Sequence, residues 1–120
     1  MKNENIVKEK SFSFALRIVL LYQYLTKEKK EFVLSKQLLR SGTAIGALIR
    51  ESEYAESPLD FIHKLHIALK EANETAYWIE LLHKGGYIDK TGFDSIMQDI
   101  NELMKLLTAI IITKKKNLSK

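Results

Sequence analysis

The sequence predicts an all-α chain folded as one up-down-up-down antiparallel four-helix bundle, and three observations carry that prediction. Apolar residues recur at helical spacing from end to end. A single proline and five glycines leave few places for the chain to turn. Three short connections separate four amphipathic stretches, and short connections make successive helices antiparallel. A chain of 120 residues builds one core, so residues 1–120 form a single domain, with frayed ends expected at about 1–5 and 114–120.

Hydrophobic residues make up 46% and charged residues 28%, the balance of a globular chain rather than a disordered one. The absence of cysteine excludes disulfides and thiolate zinc sites. The opening MKNENIVKEK has no apolar signal region, and no apolar run approaches the roughly 18 residues of a membrane span. A cytoplasmic protein with no membrane partner is therefore expected. The net charge is +4; residues 1–30 carry seven basic and three acidic groups, and residues 89–120 carry six and four. That surface permits nucleic-acid binding and is equally ordinary for a helical protein.

The first helix is expected from Ile6 or Ser11 to Lys27, with two apolar stripes. Phe12, Ala15, Leu16, Val19 and Tyr22 form one; Phe14, Ile18, Leu21 and Leu25 form the other. A helix that is apolar on two sides needs covering on two sides, so the second stripe indicates either a subunit interface or a wide core face. The run KEKKE before Phe32 reads as a solvated turn.

The second helix is expected from Phe32 to Glu56, with Leu34, Leu38, Ser41, Ile45, Leu48, Ser52 and Ala55 along a bundle seam. Its stretch QLLRSGTAIGALIRE keeps Gly42 and Gly46, each costing roughly 1 kcal/mol relative to alanine. Such residues are kept where a neighbouring backbone comes close. Ser57 and Pro58 cap and open the third helix, Pro58 to His83, with Asp60 accepting first-turn amides. Its seam is Ile62, Leu65, Leu69, Ala72, Ala76 and Ile79; Gly85 or Gly86 then supplies a left-handed cap. The fourth helix begins near Asp89 or Thr91 and continues to about Thr113, with the most regular apolar face of the four.

A tight turn at residues 56 and 57 places Arg40 beside Glu71 and Glu74, and Arg50 near His63. An ion pair from Arg40 to Glu71 or Glu74 is expected, with Gln37 completing a structural polar network. The same topology collects Lys27, Lys29, Lys30, Lys36, Lys84 and Lys90 at one end, against Glu28, Glu31 and Asp89. At the other end Lys2, Lys8, Lys10, Lys114, Lys115, Lys116 and Lys120 face Glu51, Glu53, Glu56 and Asp60. Lys27, Lys29, Lys30, Lys36, Lys114, Lys115 and Lys116 are the candidate phosphate contacts; repetition around a ring would strengthen each patch. Phe14, Ile18, Gly42, Gly46 and Trp78 are the candidate interface residues, although Trp78 equally suits a core and Tyr77 with Trp78 could stack on bases.

No catalytic residue, cofactor or metal site is assigned. Glu80 and His83 form E-x-x-H, but a di-iron bundle needs that motif on two helices and glutamates from two more. His63 and His66 lack an evident third ligand. Neither a glycine-rich phosphate loop nor a nucleophile elbow is present.

QLLRSGTAIGALIRESEYA and DFIHKLHIALKEANETAYWIELLHKGGYI resemble the 23S ribosomal RNA intervening sequence proteins, also called ribosomal protein S23-like. The resemblance is most specific at Gln37, Leu38, Arg40, Ser41, Ile45, Glu51, Phe61, Ala68, Glu71 and Glu74. It departs at Leu48 to Arg50, where many members read asparagine, isoleucine, alanine. The resemblance implies a bundle assembling as a homopentamer, no enzymatic activity and a link to RNA. A related branch looks like the accessory protein of diversity-generating retroelements. The expected function is that of a non-enzymatic homo-oligomer binding RNA or DNA through repeated basic patches. The alternative is a protein-interaction scaffold, such as an accessory subunit for a nucleic-acid enzyme; a metal-binding bundle enzyme is a distant third.

Overall fold

The computed structural model describes residues 2–119, with four helices and, among the described residues, no strand. They are α1 (Lys2–Lys27), α2 (Leu34–Ser52), α3 (Pro58–Lys84) and α4 (Lys90–Leu118). α1 and α3 each pack on both α2 and α4, so the helices stand at the corners of a square. Their directions follow from cross-helix pairs. Glu4, Lys10 and Arg17 of α1 meet Lys114, Glu102 and Asp99 of α4, while Arg40 and Glu51 of α2 meet Glu71 and Lys64 of α3. Numbers rise on one helix as they fall on its neighbour, as antiparallel packing requires.

Both ends of the chain depart from the expected fraying: residues 2–5 open α1 and residues 114–118 close α4. They support one another. Lys114 Nζ lies 3.6 Å from Glu4 and 5.1 Å from the centre of the Phe61 ring. Lys120 lies outside the described residues.

On α1 the two stripes fall opposite to expectation. Phe14, Ile18 and Leu25 are buried inside the chain's own core, whereas Phe12, Leu16 and Leu20 are more than half exposed. The reason is on α2. A Cβ at Gly42 would lie 2.9 Å from both γ carbons of Ile18, and one at Gly46 would lie 3.3 Å from the Ser11 carbonyl oxygen. The glycines admit α1 of the same chain, so Phe14, Ile18 and Gly42 belong to the core and not to an outer interface.

α2 is shorter than its apolar pattern, beginning at Leu34 and ending at Ser52. Its start is set by Glu31, which is 8% exposed and not part of a solvated turn. The Glu31 carboxylate accepts from the backbone N–H of Val33, Leu34 and Ser35 at 3.1, 3.0 and 2.6 Å, filling the donors that a helix start leaves unpaired. The chain reaches it through Lys30, whose φ of 56° is left-handed. At the other end the N–H groups of Tyr54 and Ala55 turn back to the carbonyls of Glu51 and Ser52, ending regular α-helix.

α3 opens as its sequence indicates. The Ser57 hydroxyl accepts from the Asp60 N–H at 3.0 Å, and the Asp60 carboxylate accepts from the Glu56 N–H at 3.1 Å, a reciprocal cap. Gly86, with φ of 88°, makes the left-handed turn after α3, and the Asp89 carboxylate caps α4 through the Gly92 N–H at 2.7 Å. Along α3 the seam holds Ala68 where Leu69 was expected.

Gly42→Leu tests the α1–α2 spacing. Overpacking against Ile18 outweighs the better helix propensity, so urea unfolding should show a loss of at least about 2 kcal/mol; an unchanged midpoint would mean that α1 moves away freely.

Candidate nucleic-acid interface

On the flank between α2 and α3, the register brings Arg40 to both carboxylates. Its guanidinium donates to the two oxygens of Glu71 at 3.0 and 3.3 Å and also to Glu74. Glu74 in turn accepts from the Trp78 indole N–H at 3.0 Å. That indole bond, with the Arg40 bond second, outweighs burial and holds the Glu74 carboxyl below the usual glutamate range. Trp78 is therefore half-buried in its own chain's polar flank, and Tyr77, set edge-on to it at 5.1 Å, is the exposed ring. Gln37 is exposed and, among the described residues, its side chain makes no hydrogen bond. Arg40 is half exposed, so the fork orients α3 on α2 more than it stabilises the fold. Arg50 turns to α1 and lies 5.9 Å from the centre of the Phe12 ring.

The histidine motifs have structural partners or none. His83 Nδ1 donates to the Ile88 carbonyl at 2.8 Å and stacks on Phe93 at 4.2 Å, pinning the α3–α4 turn. Among the described residues no three His, Cys, Asp or Glu side chains come together as a metal site would need.

The two ends of the bundle differ in how their acids are used. At the end holding both chain termini, Lys8 pairs with Glu53 at 2.9 Å, Lys64 with Glu51 at 3.4 Å and Lys114 with Glu4. Lys114 is thereby turned into the protein, apart from the exposed Lys115 and Lys116. At the opposite end Glu31 faces inward and Asp89 serves as a cap, while Glu28 stays exposed. Glu31 is occupied by three amides, Asp89 by Gly92 and Asp94 by Lys90. Lys27, Lys29, Lys30, Lys36 and Lys84 are left exposed there, without an ion pair among the described residues. Burial alone would raise the Glu31 carboxyl; the backbone donors and the Ser35 hydroxyl outweigh it and hold it low, so the inward group stays anionic.

A third surface lies on the outside of α1, where Phe12, Leu16, Leu20 and Tyr24 follow one another at i, i+4 spacing. Beside it a groove of about 490 Å³ opens between α1 and α2, floored by Ala15, Gly46 and Ala47 and edged by Phe12, Arg50 and Tyr54. Gly46 thus sits both against Ser11 and at an open groove.

Comparison with known proteins bears on this arrangement. The family model described as 23S rRNA-intervening sequence protein matches residues 3–109. The chain belongs to this family. It is also similar to a solved protein of unknown function from the S23 ribosomal protein family of Bacteroides thetaiotaomicron VPI-5482. Identity is 60%, 91% of this chain and 97% of that chain are covered, and the TM-score is 0.90. No curated protein matches.

In this 23S rRNA-intervening sequence protein, the matched residues contain the Arg40 fork and the lysines around the α1–α2 connection, and leave out Lys114, Lys115 and Lys116. Three polar arrangements escape the sequence reading. Arg17 donates to Asp99 at 2.7 Å and to Ser95 at 2.8 Å, joining α1 to α4. The Thr75 hydroxyl donates to that of Ser41 at 2.9 Å inside the α2–α3 seam. Glu31 caps α2 from three residues before the helix; its separation of four from Ser35, whose hydroxyl returns a bond to the Glu31 carbonyl at 2.8 Å, was the available signal.

Glu31→Ala should cost roughly 1–2 kcal/mol in urea unfolding at neutral pH, the usual range for a lost helix cap. The folded-state value of Glu31 is depressed, so its contribution is fully present above about pH 4.3, the ordinary glutamate value, and fades as pH falls through the folded value. Glu31→Gln should lack that acid-dependent component. Arg40→Ala should cost about 1 kcal/mol or less because its partners remain reachable by water; a loss several times larger would show that the fork carries the α2–α3 contact.

Proposed function

We propose that this 23S rRNA-intervening sequence protein is a cytoplasmic, non-enzymatic oligomer that binds RNA or DNA through the lysine-bearing end formed by the α1–α2 and α3–α4 connections. The observation that carries the reading is the disposition of acids at that end. Lys27, Lys29, Lys30, Lys36 and Lys84 share it with Glu28, Glu31 and Asp89, and two of those three carboxylates are engaged by backbone amides. The lysines outnumber the acids there, and the excess positive charge is exposed, the condition for phosphate binding. The termini end supports the reading less, because Lys8, Lys64 and Lys114 are paired with its own glutamates.

Assembly adds to this. The apolar row on α1 needs a cover, and the groove beside it offers a different surface, the two unlike patches that a closed ring uses. A homopentamer, as the family resemblance implies, would set five lysine ends side by side and raise the avidity of each. The same row favours a second reading, in which the protein is a scaffold that docks a partner protein, such as a nucleic-acid enzyme.

Fluorescence anisotropy with labelled RNA and DNA across a salt series tests the binding. Affinity should fall steeply as salt rises, and Lys29→Gln with Lys30→Gln should lower the log–log slope by about 1.5–2, whereas Lys115→Gln with Lys116→Gln leaves it nearly unchanged. Absent binding at low salt would leave the scaffold reading. Light scattering tests the assembly: Leu16→Glu with Leu20→Glu should yield a helical monomer, and an unaltered mass would place the contact elsewhere.

A further inference from the structure

The connection between α1 and α2 holds two large apolar side chains in water among its lysines. Phe32 is 59% and Val33 72% exposed. On a loose loop such exposure would mean little. This loop is tied down on both sides of Phe32. The Glu31 N–H donates to the Leu25 carbonyl at 2.9 Å, the Ser35 hydroxyl donates to the Glu31 carbonyl, and the Glu31 carboxylate takes three consecutive amides. With Glu31 committed inward, its neighbours Lys30 and Phe32 are held outward. On the last turns of α1, Tyr24 is also exposed, and Lys29 Nζ lies 5.9 Å from its ring centre.

An aromatic ring held outward by a tethered backbone, among unpaired ammonium groups, fits a particular form of nucleic acid. Lysines neutralise phosphates on any strand, but a ring gains stacking energy only from a base whose face is free. In a duplex those faces are already stacked on one another. We infer that this end of the bundle takes single-stranded nucleic acid, with a base stacking on Phe32 while Lys27, Lys29, Lys30 and Lys36 neutralise the backbone. The inference rests on the nucleic-acid reading above and adds strandedness to it. A basic loop with exposed apolar residues also suits an anionic bilayer surface; the tethered backbone, which holds Phe32 outward in one place, favours the base-binding reading, and a vesicle arm separates the two.

The test measures binding of the intact protein to single-stranded and duplex oligonucleotides of equal length at one salt concentration, and to phosphatidylserine-containing vesicles. The single strand should bind at least about tenfold more tightly than the duplex, and Phe32→Ala should weaken single-strand binding by roughly five- to a hundredfold with the salt slope unchanged. Phe32→Trp should retain it, and circular dichroism checks that both variants remain helical. Equal binding of the two forms, with no effect of Phe32→Ala, overturns the inference while the nucleic-acid reading stands. Failure of every oligonucleotide to bind overturns both. Vesicle binding that depends on Phe32, with single-strand binding indifferent to it, overturns the inference in favour of a membrane-facing loop.

Discussion

At Gly42 the side chain is a hydrogen atom because Ile18 leaves no room for a carbon: an added Cβ would sit 2.9 Å from two of its atoms. That contact fixes how near α2 stands to α1, and the rest of the bundle is arranged from it. Ile18 is driven fully into the core, which turns Phe12, Leu16 and Leu20 to the outside. Four residues further along α2, Gly46 rests near the Ser11 carbonyl, so the same spacing continues toward the groove at Arg50. Two residues that weaken a helix in isolation thus set both the core and the exposed face of the neighbouring helix.

The polar groups divide into those that align helices and those that begin them. Arg40 with Glu71 and Glu74 aligns α3 on α2, and Arg17 with Asp99 and Ser95 does the same for α4 on α1. Neither pair is buried, so neither supplies much stability; each fixes an orientation that apolar packing alone leaves free to slide. Glu31, Ser57 and Asp89 instead fill the open amides at the starts of α2, α3 and α4. In filling that need, Glu31 and Asp89 leave Lys27, Lys29, Lys30, Lys36 and Lys84 without an ion pair among the described residues. Helix capping and surface potential at this end are one arrangement seen from two sides.

Much of this was legible in the sequence. Four helices followed from apolar spacing, and the Arg40 contact followed from the tight turn at Ser57, because a short connection sets the register of the helices it joins. The Arg17 contact could not be read the same way, since α1 and α4 are not consecutive and no turn ties their numbering. The two faces of α1 were misassigned for a related reason. Both stripes are apolar, and only the place where Gly42 lands decides which is covered. Glu31 was hidden in a run of charges that composition marks as solvated; its burial depends on backbone donors that a side-chain pattern does not record.

Lys30 carries a consequence of its own. Its backbone stands at a φ of 56°, a region in which a side-chain-bearing residue is about 1–2 kcal/mol less comfortable than glycine. Glycine at this position would relax the connection, yet it would remove one ammonium group from the end where charge is least opposed. This turn is therefore a poor guide to stability engineering: the substitution that backbone geometry most favours is also the one that erases part of the surface the turn presents.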